Sequence, residues 1–199
     1  MTVYKIYPKG FAANSYLLTV DGRTAVCVDP AQPRILREAE SRGLAVRYVL
    51  LTHGHFDHIG GCAALQAAGA QIGCLAAEKP LALGRDNMAE EFGFGEVPPF
   101  SIGFTFQDGD TLDLCGIGIS VIATPGHTAG GACFLAEKHL FTGDTLFEGG
   151  AGRTDLPTGS GAALGESLRK LFALDGDYAV HTGHGEDTTI RNERRYYQW

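Results

Sequence analysis

The stretch 51–61, Leu-Thr-His-Gly-His-Phe-Asp-His-Ile-Gly-Gly, places His53, His55, Asp57 and His58 within six consecutive positions, directly after the apolar run 48–51. That run reads as a buried strand. The four polar groups therefore leave the end of a rigid element on a short segment that can aim them together. Along an extended chain His53, His55 and Asp57 fall on one side, and the adjacent His58 joins them only where the chain turns. The following Ile-Gly-Gly permits that turn into a helix. Packing three imidazoles and a carboxylate together without a cation carries large desolvation and repulsion costs. A catalytic zinc takes about three protein ligands and keeps a position for water. Four ligands in one loop therefore point to two metal ions, each completed from elsewhere in the chain.

A chain of 199 residues has room for a sizeable core, and we expect a single domain over 1–199. Sixteen basic against 23 acidic residues give a net charge of −7, which disfavours nucleic acid and anionic membranes as partners. The N-terminus has no basic segment followed by an apolar run, and the chain lacks the run of about 18 apolar residues that a membrane span needs. Neither a signal peptide nor a span is expected. Cys27, Cys62, Cys74, Cys115 and Cys133 are odd in number and sit in apolar surroundings, as core residues of a protein made in a reducing cytoplasm do.

Segments 3–7, 14–20 and 25–28 read as strands, with Asp21-Gly22 as a hairpin turn. Asp29-Pro30 stops the third strand, and Ile35, Leu36 and Ala39 form the apolar stripe of a helix over 32–42 that ends at Gly43. Strand 46–51 carries the His-rich loop and is followed by a helix over 60–68 and a strand at 72–75. Asn14 reads as a turn residue in preference to a polar contact near the site. Section 76–104 offers a helical stretch at 78–83. Beyond it Phe92, Phe94, Pro98, Pro99 and Phe100 read as a surface loop packed by its own side chains, in preference to a cover over a pocket. Strands at 111–114, 117–124, 131–136, 139–142 and 178–181 and a helix over 162–173 complete the chain. Two packed sheets with helices on their outer faces would bury all of these segments.

Three of the later strands end in further candidate ligands. His127 follows a Pro125-Gly126 turn, Asp144 follows strand 139–142, and His184 stands between Gly183 and Gly185, which let backbone approach a site closely. Five His and two Asp at the ends of four strands have the composition of a dinuclear hydrolase site.

The segment His53-Gly54-His55-Phe56-Asp57-His58, followed in order by Gly126-His127, Gly143-Asp144 and Gly183-His184, resembles the metallo-beta-lactamase fold superfamily, and within it the glyoxalase II-like hydrolases. The similarity covers nearly the whole chain. It implies an α/β fold, a four-layer αββα sandwich of two mixed β-sheets flanked by helices, with both metals at one edge. By the family pattern His53, His55 and His127 would hold one metal, Asp57, His58 and His184 the other, and Asp144 would bridge them. Asp57 would also orient the attacking hydroxide. Zinc is the expected metal, with iron or manganese as alternatives, because a mixed His/Asp set does not select sharply. The resemblance further implies hydrolysis of thioesters of the S-acylglutathione type, S-lactoylglutathione among them. Other small esters, thioesters or lactones are the alternative substrates, and a mononuclear iron persulfide dioxygenase is the alternative enzyme. Full-length glyoxalase II enzymes carry an additional helical domain that contacts glutathione, and its absence here implies a more open site.

The segment 152–157, Gly-Arg-Thr-Asp-Leu-Pro, resembles the compact glyoxalase II-like branch and makes Arg153 the candidate contact for a glutathione moiety. An aromatic residue expected shortly after is replaced by Asp155, and Arg153 can equally form a salt bridge to Asp155 or Glu148. Ser160, between two glycines, reads as a turn residue and lacks the strand-to-helix setting of a nucleophile. The basic and aromatic segment 190–199 reads as a helix packing Tyr and Trp against the body.

Overall fold

In the computed structural model of the protein, which describes residues 1–197, alternation along the strands builds the layers. The first sheet consists of β1 (Thr2–Ile6), β2 (Ser15–Thr19), β3 (Thr24–Val28), β4 (Ala45–Leu51), β5 (Gln71–Leu75) and β6 (Phe104–Phe106), in that spatial order. Its first three strands are antiparallel neighbours, and β3 to β6 run parallel. The second sheet contains β7 (Thr111–Leu114), β8 (Ile117–Ala123), β9 (Ala132–Ala136) and β10 (His139–Gly143). A small hairpin of β11 (Leu146–Phe147) and β12 (Gly150–Ala151) follows, and β13 (Ala179–Thr182) and β14 (Thr188–Thr189) then complete the second sheet in the order β14-β13-β10-β9-β8-β7. Both sheets are mixed, since β10 and β13 are parallel while their other neighbours are antiparallel. The helices are α1 (Ile35–Glu40), α2 (Phe56–Ile59), α3 (Cys62–Ala67), α4 (Lys79–Leu83), α5 (Gly161–Phe172) and α6 (Ile190–Glu193).

Successive side chains of a strand point to opposite faces, and the apolar positions use both. Leu18, Val26, Val28 and Leu50 face inward and meet Ile119, Val121, Phe134 and Phe141 of the second sheet. Their neighbours Leu17, Cys27, Val49 and Leu51 face outward under Ile35, Ala39 and Leu65 of α1 and α3. On the far side Cys133, Leu140 and Val180 pack under Leu164, Leu168 and Leu171 of α5. Three apolar layers thus separate helix, sheet, sheet and helix, the expected αββα order. The α5 leucines recur at helical spacing on one face. Ser160 is the cap of that helix and not a free turn residue, its Oγ accepting from Ala163 N at 3.3 Å.

The expected helix over 60–68 is found as α3, Cys62–Ala67, and a separate short helix that was not expected, α2, precedes it at Phe56–Ile59. Gly60 and Gly61 lie against the carbonyls of Ala31, Gln32 and Pro30, and Gly61 N donates to Pro30 O at 2.6 Å, so the chain changes direction there. Strand β6 and the β11–β12 hairpin are additions to the elements expected, the first hidden in a Pro- and Phe-rich stretch and the second only two residues per strand. At the C-terminal end α6 is four residues long and capped by Thr189. Tyr197 packs on Phe172 with ring centroids 5.1 Å apart, whereas Tyr196 is exposed, and Trp199 lies outside the described residues.

Phe134 is fully buried between the sheets, edge-on to Phe106 at 5.6 Å. Phe134→Ala is expected to lower the unfolding free energy by about 3–5 kcal/mol in chemical denaturation. A loss below about 1 kcal/mol would show that this layer does not hold the sheets together.

Candidate metal centre

β8, β10 and β13 run in one direction, so their C-terminal ends lie at one edge of the second sheet. The end of β4 is tied to the same edge, since Thr52 O accepts from Ala132 N at 2.8 Å. His53 and His55 leave β4 in extended chain. The turn needed to bring in His58 is the first turn of α2, closed by His58 N donating to His55 O at 3.0 Å.

All seven expected residues arrive at this edge. His53, His55 and His127 form one group of potential ligand atoms within 4.8 Å of one another, and Asp57, His58 and His184 form another. Asp144 lies between them: its Oδ1 is 3.2 Å from His58 Nε2, and its Oδ2 is 3.6 Å from both His127 Nε2 and His184 Nε2. Asp57 Oδ2 stands 3.1 Å from His184 Nε2.

The far side of each ring fixes which nitrogen faces inward. Thr52 Oγ1 donates to Asp29 Oδ2 at 2.6 Å and so accepts from His53 Nδ1 at 3.2 Å, leaving the His53 Nε2 lone pair aimed at the cluster. His127 Nδ1 donates to the Arg153 carbonyl at 2.7 Å, turning Nε2 inward to within 2.9 Å of His55 Nδ1. His58 Nδ1 donates to Asp29 Oδ2 at 2.9 Å. Inside the cluster His53 Nε2, His55 Nε2, His58 Nε2 and Asp144 Oδ1 are buried and make no hydrogen bond. Buried polar atoms are nearly always paired, and imidazole nitrogens and carboxylate oxygens converging at this range are the donors that zinc, iron and related cations take. The residues fit a metal pair.

Electrostatics agree. Burial, reinforced by neighbouring imidazoles, pushes the His53 imidazole well below its usual range and His55 down to about 4, so both keep free lone pairs. His58 goes the other way: burial opposes its charge, but Asp144, Asp29 and Asp57 raise it well above the usual histidine range. Against burial, the histidines beside Asp57 and Asp144 hold both carboxyls below their usual range and ionised. The cysteines are no rival nucleophiles, since burial pushes Cys74 to about 12 and Cys133 to about 11.

Several supporting residues were not read as such in the sequence. Asp29, which marks the end of β3, is 2 % exposed at φ +50° and also accepts from Thr52 N at 2.8 Å. Glu78, also buried, accepts from Gly54 N, Gly130 N and Thr128 Oγ1 at 2.8, 2.9 and 3.1 Å and so clamps the His53 loop to the His127 loop. Asn14 is a contact near the site and not merely a turn residue: Nδ2 donates to Thr182 O and Gly185 O, and its N donates to Gly183 O, holding the His184 loop to the first sheet. Gly183 permits a close approach of backbone, since a Cβ there would collide with Asp144 Oδ1 and the His58 ring.

A cavity of about 590 Å³ opens over the cluster and reaches His55, Asp57, His127, Asp144 and His184, with walls that include Phe11, Phe56, Met88 and Phe92. The 76–104 section is therefore both things considered: Val97, Phe100 and Ile102 pack on the core, while Met88 and Phe92 wall the pocket. Arg153 also lines the cavity, and it pairs with Asp155 through Nε–Oδ1 at 2.7 Å and NH2–Oδ2 at 2.6 Å, with both side chains exposed.

Residues 8–184 match the pattern of the metallo-beta-lactamase superfamily. The chain belongs to this superfamily. It is 36% identical over 203 residues to hydroxyacylglutathione hydrolase GloC of Haemophilus influenzae, an alignment covering 98% of this chain and 96% of the relative. Among solved structures, BLEG-1 B3 metallo-beta-lactamase superimposes with a TM-score of 0.90 at 28% identity, covering 98% of this chain and 97% of that one. The di-iron-bound form of TTHA1623 superimposes with a TM-score of 0.86 at 33% identity, covering 97% and 98%.

Within this superfamily fold, Asp29 controls His58 from outside the cluster. Asp29→Asn keeps an acceptor for Thr52 N but places an amide N–H against His58 Nδ1–H. We expect a folded protein whose affinity for zinc, measured by competition with a chromogenic chelator, falls about 10–100-fold. Unchanged affinity would show that the His58 ring does not depend on this carboxylate.

Proposed function

We propose that residues 1–199 act as one domain holding two divalent metal ions and hydrolysing thioesters of the S-acylglutathione class, S-lactoylglutathione among them. His53, His55 and His127 would hold one ion and Asp57, His58 and His184 the other, with Asp144, which lies between the two groups, shared by both. The observation that carries this reading is the set of inward-facing imidazole and carboxylate atoms, four of them buried without a hydrogen bond, grouped on the two sides of Asp144. The name of the Haemophilus relative supports the thioester class. Zinc is the metal proposed, and the di-iron form of TTHA1623 makes iron the alternative.

A pair of bound cations supplies a low-pKa water for attack near neutral pH and charge stabilisation for the oxyanion. The chain's own residues do the rest. Asp57, ionised and 3.1 Å from His184 Nε2, orients the attacking water at the floor of the cavity. The water oxygen adds to the thioester carbonyl carbon, the C–S bond breaks, and the sulfur leaves as a thiolate that takes up a proton, giving a carboxylate and a thiol. The hydrogen bonds from His53 to Thr52 and from His127 to the Arg153 carbonyl hold both rings in their tautomers throughout. Arg153, on the rim of the cavity, meets a carboxylate of the glutathione moiety in exchange for Asp155. A cytoplasmic location is proposed because all five cysteines are free. Among the described residues no helix is long and apolar enough to cross a membrane.

On protein of known metal content, kcat/KM is expected to be highest for S-lactoylglutathione among a panel that includes a coenzyme A thioester, an aryl ester, a lactone, a β-lactam and a phosphodiester. His55→Ala and His184→Ala should each lower kcat at least about a hundredfold. Preference for the β-lactam or any other non-thioester, or oxygen consumption with glutathione persulfide by the iron form, would contradict the assignment.

A further inference from the structure

Four phenylalanines gather beside the metal centre. Phe56, between His55 and Asp57 in the chain, stacks on Phe94 with ring centroids 4.8 Å apart and on Phe92 at 5.7 Å, and Phe94 meets Phe11 edge-on at 6.1 Å. Phe11, Phe92 and Phe94 nevertheless stay 73, 44 and 55 % exposed. Their contacts with one another order the rings without shielding them from water. A contiguous apolar patch of this kind marks a surface that something else covers.

The patch is continuous with the site. Phe11, Ala12, Phe56 and Asp57 line the 590 Å³ cavity over the ligand cluster and also a second cavity of about 250 Å³ that runs on to Pro33, Phe94 and Val97, with the polar Lys9, Gln32 and Glu96 also in its lining. The two spaces share an aromatic wall and meet at the carboxylate proposed to orient water. A thioester placed with its carbonyl at Asp57 therefore has one substituent directed along phenyl rings. A glutathione moiety carries two carboxylates and an ammonium, which would lose hydration against those faces. Arg153, which lines the larger cavity and not the second, is exposed and paired with Asp155, and this pair can receive both signs of charge. The acyl group is the half of the substrate that suits the aromatic wall.

We propose that this trough receives the acyl chain and makes the protein selective for thioesters of apolar acyl groups of medium length, aliphatic or arylalkyl, over acetyl and lactoyl. The inference rests on the thioesterase reading above and adds the acyl specificity to it. A methylene that is fully buried contributes up to about fourfold in transition-state binding, and one lying along an open wall about twofold.

The zinc-loaded protein is assayed with acetyl-, lactoyl-, butanoyl-, hexanoyl- and phenylacetyl-glutathione. Separately, the affinities of the non-hydrolysable thioethers S-methylglutathione and S-hexylglutathione are measured by calorimetry. We expect kcat/KM to rise at least about tenfold from acetyl to hexanoyl and S-hexylglutathione to bind about tenfold more tightly than S-methylglutathione. Phe11→Ala and Phe94→Ala should each reduce the hexanoyl-to-acetyl ratio and the hexyl-to-methyl ratio. A flat or falling acyl series, or equal or absent binding of the two thioethers, overturns the proposal. If no thioester is hydrolysed, the thioesterase reading fails, and the thioether affinities still decide whether the trough takes an apolar chain. A change in oligomeric state of Phe11→Ala with both ratios unaltered would assign the patch to a subunit contact and likewise overturn it.

Discussion

Five imidazoles and two carboxylates converge at one edge of a β-sandwich, most of them buried. Removing such groups from water is costly unless each polar atom finds a partner. Outside the cluster partners are supplied, by Asp29 for His58 and Thr52, by Thr52 for His53, and by the Arg153 carbonyl for His127. Inside it they are withheld from His53 Nε2, His55 Nε2, His58 Nε2 and Asp144 Oδ1. The asymmetry is the physical signature of the site. An outer layer of satisfied hydrogen bonds fixes ring orientation, the lone pairs of His53 and His55 are left free inside, and a cation would replace the proton of the charged His58 that faces Asp144 at 3.2 Å.

The fold exists in a form that can bear this arrangement. Because the sheets are buried on both faces, the strands are stiff apolar ladders whose ends can carry polar side chains at little risk to the core. β4 of one sheet and β8, β10 and β13 of the other deliver their loops to one edge. Glu78 and Asn14 then bind these loops across the gap between elements, Glu78 joining the His53 and His127 loops and Asn14 joining the His184 loop to β2. Gly183 lets backbone pass where any side chain would strike Asp144.

What the sequence made legible follows from range. The strands that lead to the ligands are local apolar runs ended by His, Gly and Pro, so their boundaries fall within a residue or two of those found, and 111–114 coincides with β7. The seven ligand candidates are legible because their residue types are costly together and their motifs carry a family resemblance. Asp29 was hidden behind its neighbour: Asp-Pro is a strand-ending signal, and nothing local distinguishes a carboxylate that ends a strand from one that also orients a histidine 29 residues away. Glu78 lies in a short helical turn whose partners sit 24 and 52 residues distant. Strand β6 holds its place by pairing with β5 and by packing Phe106 on Phe134, both distant in sequence, and no periodicity of three residues can announce that. The Phe-rich section divides between packing and pocket wall because its aromatic residues alternate between the two tasks. Composition alone does not separate them.

The central claim is that the cluster is a bridged two-metal site. Zinc titration of the chelator-stripped protein, followed by calorimetry and by elemental analysis after desalting, tests it most directly. The account predicts saturation at two ions per chain, with Asp144→Asn weakening both binding events because that carboxylate touches both groups of ligands. Saturation at a single ion, unaltered in Asp144→Asn, would contradict it.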